Sequence, residues 1–207
     1  MTWLLPLPVL LPLAGAALTL VARNSPRLQR VISIVVLSLT VAVAGSLVYL
    51  TDTRGPQALW LGGWDDLGIA IVADRLSALM LLVSSVITLL VLIFAIGQGI
   101  ADGGRDTPLS IYFPTYLVLA AGVANAFLAG DLFNLFVGFE ILLFASYVLM
   151  TLGGTAQRIR AGTTYIVVSL VSSLLFLVAI AAVYGATGTV NFAQLSVRLG
   201  RSTRARR

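Results

Sequence analysis

The chain has 207 residues, 59% of them hydrophobic, a mean hydropathy of +1.02 and only 10% charged residues, against about 25% charged in soluble domains. That balance excludes a water-soluble core and leaves an integral membrane protein. No cysteine or histidine is present and every basic residue is arginine, which removes disulfides, thiolate metal sites, the commonest proton shuttle, a P-loop and a lysine Schiff base.

In chain order, six apolar segments at about 4–22, 31–50, 74–97, 111–129, 131–152 and 163–184 are each predicted to cross the bilayer as a helix. The fold class expected is therefore all-α: a partial helical bundle of about six membrane helices. The first segment has no positive residue ahead of it, and Arg23, Arg27 and Arg30 follow it. That order fits a retained anchor with its N-terminus outside rather than a signal peptide. Residues 51–73 carry Asp52, Arg54, Asp65 and Asp66, with turn signals at Gly55, Pro56, Gly62 and Gly63. Trp60 and Trp64 there suit an interfacial belt on the outer face, or a hairpin that does nothing but pack.

Asp74 opens the third span as a candidate helix cap, and Arg75 is expected to reach back to the head groups. The next connection holds Asp102, Arg105 and Asp106. In the fourth span Gly122, Asn125 and Gly130 predict close contact with a neighbouring helix, and Asn125 needs a polar partner at membrane depth. Asp131 and Asn134 open the fifth span after a tight Gly130–Asp131 turn. Asp131 reads as an N-cap, as a site on an ion's way in, or as both. A stop at Gly153–Gly154 precedes Arg158 and Arg160. In the sixth span Tyr165, Ser169 and Ser172 share one face, which suits close packing between helices or a hydrated file of hydroxyls relaying protons.

Counted by connection, the odd-numbered loops hold six arginines and the even-numbered ones hold one. The positive-inside rule then puts loops 1, 3 and 5 in the cytoplasm and the N-terminus outside. Five arginines (Arg198, Arg201, Arg204, Arg206 and Arg207) crowd the end of the chain and oppose that placement; without them the net charge of +5 falls to zero. A basic tail can bind anionic lipid or nucleic acid. A short one on a membrane protein reads instead as a solvated end, so no nucleic-acid partner is expected.

Glu140 is the single glutamate of the chain and lies inside LFNLFVGFEILLFASYVLM. A helix from Asp131 to Leu152 would be about 33 Å long, which sets Glu140 near the middle of a hydrocarbon layer about 30 Å thick. A carboxyl there costs several kcal/mol unless it is paired, hydrated or protonated. Phe133, Phe136, Val137, Leu143, Phe144 and Tyr147 share its helix face. Poor solvation favours the neutral form and a nearby cation favours the charged one, so a carboxyl set between the two can load and release a proton. The plainer alternative is a neutral Glu140 that hydrogen-bonds a carbonyl on the next helix.

The run LAAGVANAFLAGDLFNLFVGFEILLFASYVLMTLGG resembles the fourth and fifth helices of the antiporter-like subunits of Mrp-type multisubunit cation/proton antiporters and respiratory complex I. DRLSALM before it, RAGTTYIVVSL after it and YGATGTVNFAQLSVRL near the end are similar to further stretches of the family. GDLFNLFVGFE, FASY and the GGW turn at 62–64 look most like its Mrp branch and the D-type subunit. The resemblance implies a helical bundle with inverted five-helix repeats, a glutamate at Glu140 working with lysines on later helices, and no cofactor of its own. It implies action beside other antiporter-complex membrane subunits in the bacterial plasma membrane, with protons and Na⁺ or K⁺ as cargo. Asp131, Asn134, Asp74, Ser169 and Ser172 stand beside Glu140 as candidate ion-path or capping residues.

The division expected is helices 1–3 over residues 1–110, the start of an antiporter-like repeat (helices 4–6 and the loop that follows) over 111–199, and a basic tail outside the fold over 200–207. Two departures stand out. Thr163–Thr164 occupies the place where the family usually has a lysine, and the helix that would bring the partner lysine for Glu140 is not reached. The sequence accordingly reads as the N-terminal portion of a longer antiporter subunit. The alternatives are a proton-pumping membrane subunit of an NADH–quinone oxidoreductase, in which this chain carries no redox site, and an inert fragment of either.

Overall fold

A computed structural model describes residues 2–61, 69–99 and 109–204. Trp64, Gly62, Gly63, Asp65, Asp66, Asp102, Arg105, Asp106, Arg206 and Arg207, singled out above, lie outside the described residues. A 3₁₀ turn at Thr2–Leu4 leads into α1 (Leu7–Val21), followed by α2 (Pro26–Arg54), β1 (Gln57–Leu61), β2 (Ile69–Ala73), α3 (Arg75–Gly97), α4 (Leu109–Leu128), α5 (Leu132–Thr151), α6 (Ala156–Thr187) and α7 (Phe192–Arg204).

Among the described residues, α2 to α6 are long and apolar enough to cross a membrane. The first predicted span is shorter: α1 has 15 residues, or about 22 Å of helix. Two predicted spans are longer than their apolar runs. Helix α2 has 29 residues because Pro26 starts it ahead of Arg27 and Arg30, proline at the first helical position being pre-set for the helix. Helix α6 has 32 residues and likewise takes in Arg158 and Arg160; arginine has good helix propensity, so a helix extends past the apolar window into the head-group layer.

Among the described residues, a two-stranded ribbon departs from the helical expectation. β1 and β2 pair antiparallel, Gln57 opposite Ala73 and Leu61 opposite Ile69. Burial separates the strands rather than their faces: β2 is buried over most of its length, whereas β1 is exposed or half-exposed throughout. Ala70, Ile71 and Ala73 enter the core, whereas Trp60 stays about half exposed.

Helix α4 is the hub, packed against α1, α2, α3 and α5, while α6 leans on α5 at the edge of the bundle. Two apolar clusters fill the middle. One joins Ala44, Leu47, Ala78, Leu81, Ala124 and Leu128 near the hairpin. The other joins Ala16, Leu37, Leu92, Phe113, Leu117 and Ala120 toward the opposite end. The outward faces of α3 and α6 carry exposed residues such as Ile87, Leu90, Phe94, Val168, Leu174 and Val178. Apolar faces of this kind suit lipid or neighbouring membrane protein rather than water.

The connections sort to two ends. At one end Gly130 N–H donates to the Ala70 carbonyl at 2.8 Å, Leu132 N–H to Val190 at 3.0 Å and Phe192 N–H to Gly130 at 3.1 Å, so hairpin, α4–α5 turn and α6–α7 turn are bonded together. A Cβ on Gly130 would lie 2.9 Å from the Ala70 carbonyl oxygen, so this junction needs glycine. At the other end the buried Gln29 amide donates to the carbonyls of Thr19 at 2.8 Å and Ser110 at 3.2 Å, tying α1, α2 and α4.

Candidate functional site

Helix α5 carries the site. Asp131 caps it in extended conformation, its Oδ1 accepting the Asn134 N–H at 2.7 Å. A carboxylate at that position satisfies an otherwise free N–H and meets the positive end of the helix dipole. Its second oxygen accepts the Ala70 N–H at 3.3 Å, so the carboxylate is fixed between α5 and β2 and is only 6% exposed. Asn134, one turn on, accepts from the Asn125 amide of α4 at 3.0 Å. Asn125 therefore has the partner its depth requires. The Asn134 Nδ2 is buried without a protein acceptor among the described residues.

Close approach of α4 and α5 makes this pairing possible. A Cβ on Gly122 would stand 2.9 Å from the Leu142 amide nitrogen, and one on Gly138 would stand 3.0 Å from that of Ala126. The backbones touch where these two glycines lie, the usual way for membrane helices to gain packing energy.

Glu140 sits eight residues beyond the start of this 20-residue helix, about 12 Å along its axis. It is half-buried and faces α6, where the Ser173 hydroxyl donates to its Oε1. Phe176, one turn on from Ser173, meets both Phe136 and Phe139 of α5 edge-on with ring centroids 6.0 Å apart. An aromatic layer thus covers the carboxyl on the side toward Asp131. Toward the other end the same seam holds a second polar contact, Ser146 Oγ to Tyr165 OH at 2.8 Å. Of the residues expected on the Glu140 face, Phe136 and Tyr147 turn toward α6, whereas Phe133 and Phe144 are exposed.

The hydroxyls of α6 divide between two faces. The less exposed positions Gly162, Tyr165, Ser169, Ser173, Phe176 and Ile180 follow each other at steps of three and four, and they form the stripe against α5. Ser169 lies on that stripe between the two polar contacts. Ser172 is exposed and donates to the Val168 carbonyl of its own helix at 2.9 Å. Ser173, not Ser172, is the hydroxyl that reaches the carboxyl. The spacing of Tyr165 to either serine is compatible with one face, so periodicity alone does not choose between them.

Asp74 is remote from this seam. It closes a capping box on α3: Asp74 Oδ1 accepts the Ser77 N–H at 2.6 Å and the Ser77 hydroxyl accepts the Asp74 N–H at 2.9 Å. The neighbouring Arg75 pairs with Asp52 at 3.1 Å on an open surface. No cluster of three or more His, Cys, Asp or Glu side chains able to hold a metal occurs among the described residues.

The arrangement is chemically simple. One intramembrane carboxyl has a hydroxyl donor, an aromatic cover on one side and a sparse row of hydroxyls on the other. A carboxyl is a group that can take up and release a proton.

Residues 129–205 match the family model described as NADH:quinone oxidoreductase/Mrp antiporter, TM. Over 197 residues the chain is 40% identical to the D-type subunit of the Na(+)/H(+) antiporter of Bacillus subtilis, covering 95% of this chain and 39% of that protein. Among solved structures it is similar to a chain of the Mrp complex from Dietzia sp., with a TM-score of 0.82, 33% identity, and coverage of 94% of this chain and 36% of that one. It is also similar to a chain of the membrane-bound sulfane sulfur reductase, an archaeal respiratory membrane complex, with a TM-score of 0.84, 30% identity, and coverage of 95% and 40%. The chain spans about two fifths of the length of the curated relative it matches.

Proposed function

We propose, for a chain that belongs to the antiporter-like family of multi-pass membrane subunits, that it provides the opening helices of a subunit of a monovalent cation/proton antiporter and that Glu140 is its proton-exchanging carboxyl. The observation that carries this reading is the place of Glu140: mid-helix in α5, half-buried at the α5–α6 seam and held by the Ser173 hydroxyl. Intramembrane carboxyls are costly and mark ion paths. The likeness along 95% of the chain to the D-type subunit of an Na(+)/H(+) antiporter points the same way.

In this reading the cargo is a proton exchanged against Na⁺ or K⁺, and the partners are the other membrane subunits of the complex. The exposed apolar faces of α3 and α6 are suited to them and to lipid. The protein is an ion-translocating subunit, not an enzyme in its own right. Sidedness follows from charge: Arg23 lies between α1 and α2, and Arg27, Arg30, Arg158 and Arg160 lie in the first turns of α2 and α6, whereas the hairpin, the α4–α5 turn and the α6–α7 turn are bonded together at the other end. The positive-inside rule then sets the hairpin end outside the cell and, with it, the N-terminus.

A second reading, a proton-pumping subunit of an NADH–quinone oxidoreductase, is favoured by one finding: the matching family model covers both kinds of subunit. The same carboxyl would serve either machine. Cation-driven proton movement in vesicles, measured with wild type and Glu140→Gln, tests the first. Proton movement driven only by NADH oxidation would support the second.

A further inference from the structure

Between the two apolar clusters of α2, α3 and α4 lies a small cavity that neither transport nor packing has so far explained. Its volume is about 10 Å³, and its walls include Thr40 of α2, Ser84, Ser85 and Thr88 of α3, and Ala120 and Ala124 of α4. Thr40 is 3% and Ser85 8% exposed. Ser85 lies about 15 Å along α3, in the middle of the bilayer. Hydroxyls therefore gather at a depth where the clusters above and below are apolar.

The hydrogen bonds of these hydroxyls fix what the cavity can accept. Thr40 donates to the Val36 carbonyl at 2.9 Å, Ser84 to Leu81 at 3.0 Å, Ser85 to Leu81 at 2.7 Å and Thr88 to Ser84 at 2.7 Å. Each hydroxyl has one proton, and each proton is spent on its own helix. The oxygens keep lone pairs able to accept, and the lining side chains carry no N–H donor. The site thus presents acceptors alone to whatever fills it.

Its occupant must supply protons or positive charge and be the size of one heavy atom. A bare cation would leave its charge unneutralised, because no carboxylate lines the cavity, and desolvating an unpaired ion costs several kcal/mol. A neutral donor of that size is water, and the volume is just enough to hold one. We infer that this cavity is a binding site for a single water molecule, which donates one proton to the Thr40 hydroxyl oxygen on α2 and the other to a hydroxyl oxygen on α3. The water ties the two helices together halfway across the membrane. The site is separate from Glu140, with α4 between them, and does not depend on the transport reading.

The test is water-to-protein magnetisation transfer by solid-state NMR. It uses the full-length subunit in its native complex in lipid bilayers, with labelled threonine and leucine and bulk water as the probe. The methyl signals of Thr40 and Thr88 are expected to build up several-fold faster than those of Leu47 and Leu92 in the flanking clusters. Thr40→Val, nearly the same in shape, is expected to bring Thr88 down to the leucine rate. Wild-type transfer at Thr40 and Thr88 no faster than at the leucines would overturn the assignment even if the variant failed to fold. Unchanged transfer at Thr88 in a folded Thr40→Val would overturn it too. So would a wild-type signal that appears only with Na⁺ and vanishes with an impermeant organic cation, since that marks an ion.

Discussion

Ser173 on α6 donates its hydroxyl proton to Oε1 of Glu140 on α5, across 33 residues of sequence. The bond fixes where the carboxyl points and joins α6, otherwise the most exposed of the long helices, to the helix that carries the site. A hydrogen bond to a charged group contributes about 1.5–3 kcal/mol net. On that scale Ser173→Ala is expected to cut cation-driven proton movement roughly tenfold, at unchanged protein level in the membrane. Ser172→Ala, one residue away and bonded only to its own helix, is expected to leave the rate unchanged. Rate measurements in vesicles on the two variants check this directly.

The contact between α4 and α5 gives a stability prediction. A Cβ on Gly138 would lie 3.0 Å from the Ala126 nitrogen and 3.2 Å from Asn125 Nδ2. Overpacking of this kind costs about 1–3 kcal/mol. Gly138→Ala is expected to lower the thermal unfolding midpoint of the purified complex. Gly185→Ala, where a Cβ would meet nothing within 4 Å, is expected to be neutral or slightly stabilising.

Asp131 offers a test between capping and ion passage. Its two oxygens serve the Asn134 and Ala70 N–H groups. Asp131→Ala loses a cap, a cost of about 1 kcal/mol, and leaves a buried N–H unpaired. Asp131→Asn keeps a capping oxygen but no charge. Near-normal stability and transport in Asp131→Asn, with lower stability in Asp131→Ala, is the expected pattern. Lost transport in a stable Asp131→Asn would place its charge on the ion's route.

Asp74 is expected to behave as a cap alone. Asp74→Ala removes both bonds of the box with Ser77 and should cost α3 about 1 kcal/mol. Transport per subunit in the membrane should be unaffected, measured at matched expression.

How much of this was legible in the sequence differs by residue. Asp74 and Asp131 stand just ahead of long apolar runs, where a cap is expected, and both cap. Asn125 and Gly122 pointed to a close helix contact because a polar amide and a missing side chain in an apolar run each need a neighbour to explain them. The partners, Asn134 and Gly138, belong to a second helix whose register the sequence does not state. Ser172 and Ser173 show the same limit more sharply. Both are compatible with the Tyr165 face, and only the way α6 lies against α5 decides which one meets Glu140. Thr40, Ser84, Ser85 and Thr88 were silent for another reason. A hydroxyl that bonds its own helix costs little in an apolar run, so nothing in the pattern marks where four of them converge. The hairpin stood in the sequence only as one of two readings of the Trp60 region, because its strands are five residues each, too short for alternation to stand out beside spans of 20 or more.

The measurement that bears most directly on the central claim is cation-driven proton movement in vesicles from antiporter-deficient bacteria. These would carry the full-length subunit with the rest of its complex, as wild type and as Glu140→Gln. Glutamine keeps the shape and can still accept from Ser173, but it cannot exchange a proton. Movement lost in the variant, with the complex assembled in the membrane at normal level, is the result predicted. Antiport that persists in Glu140→Gln would contradict the assignment of Glu140 as the proton-exchanging group.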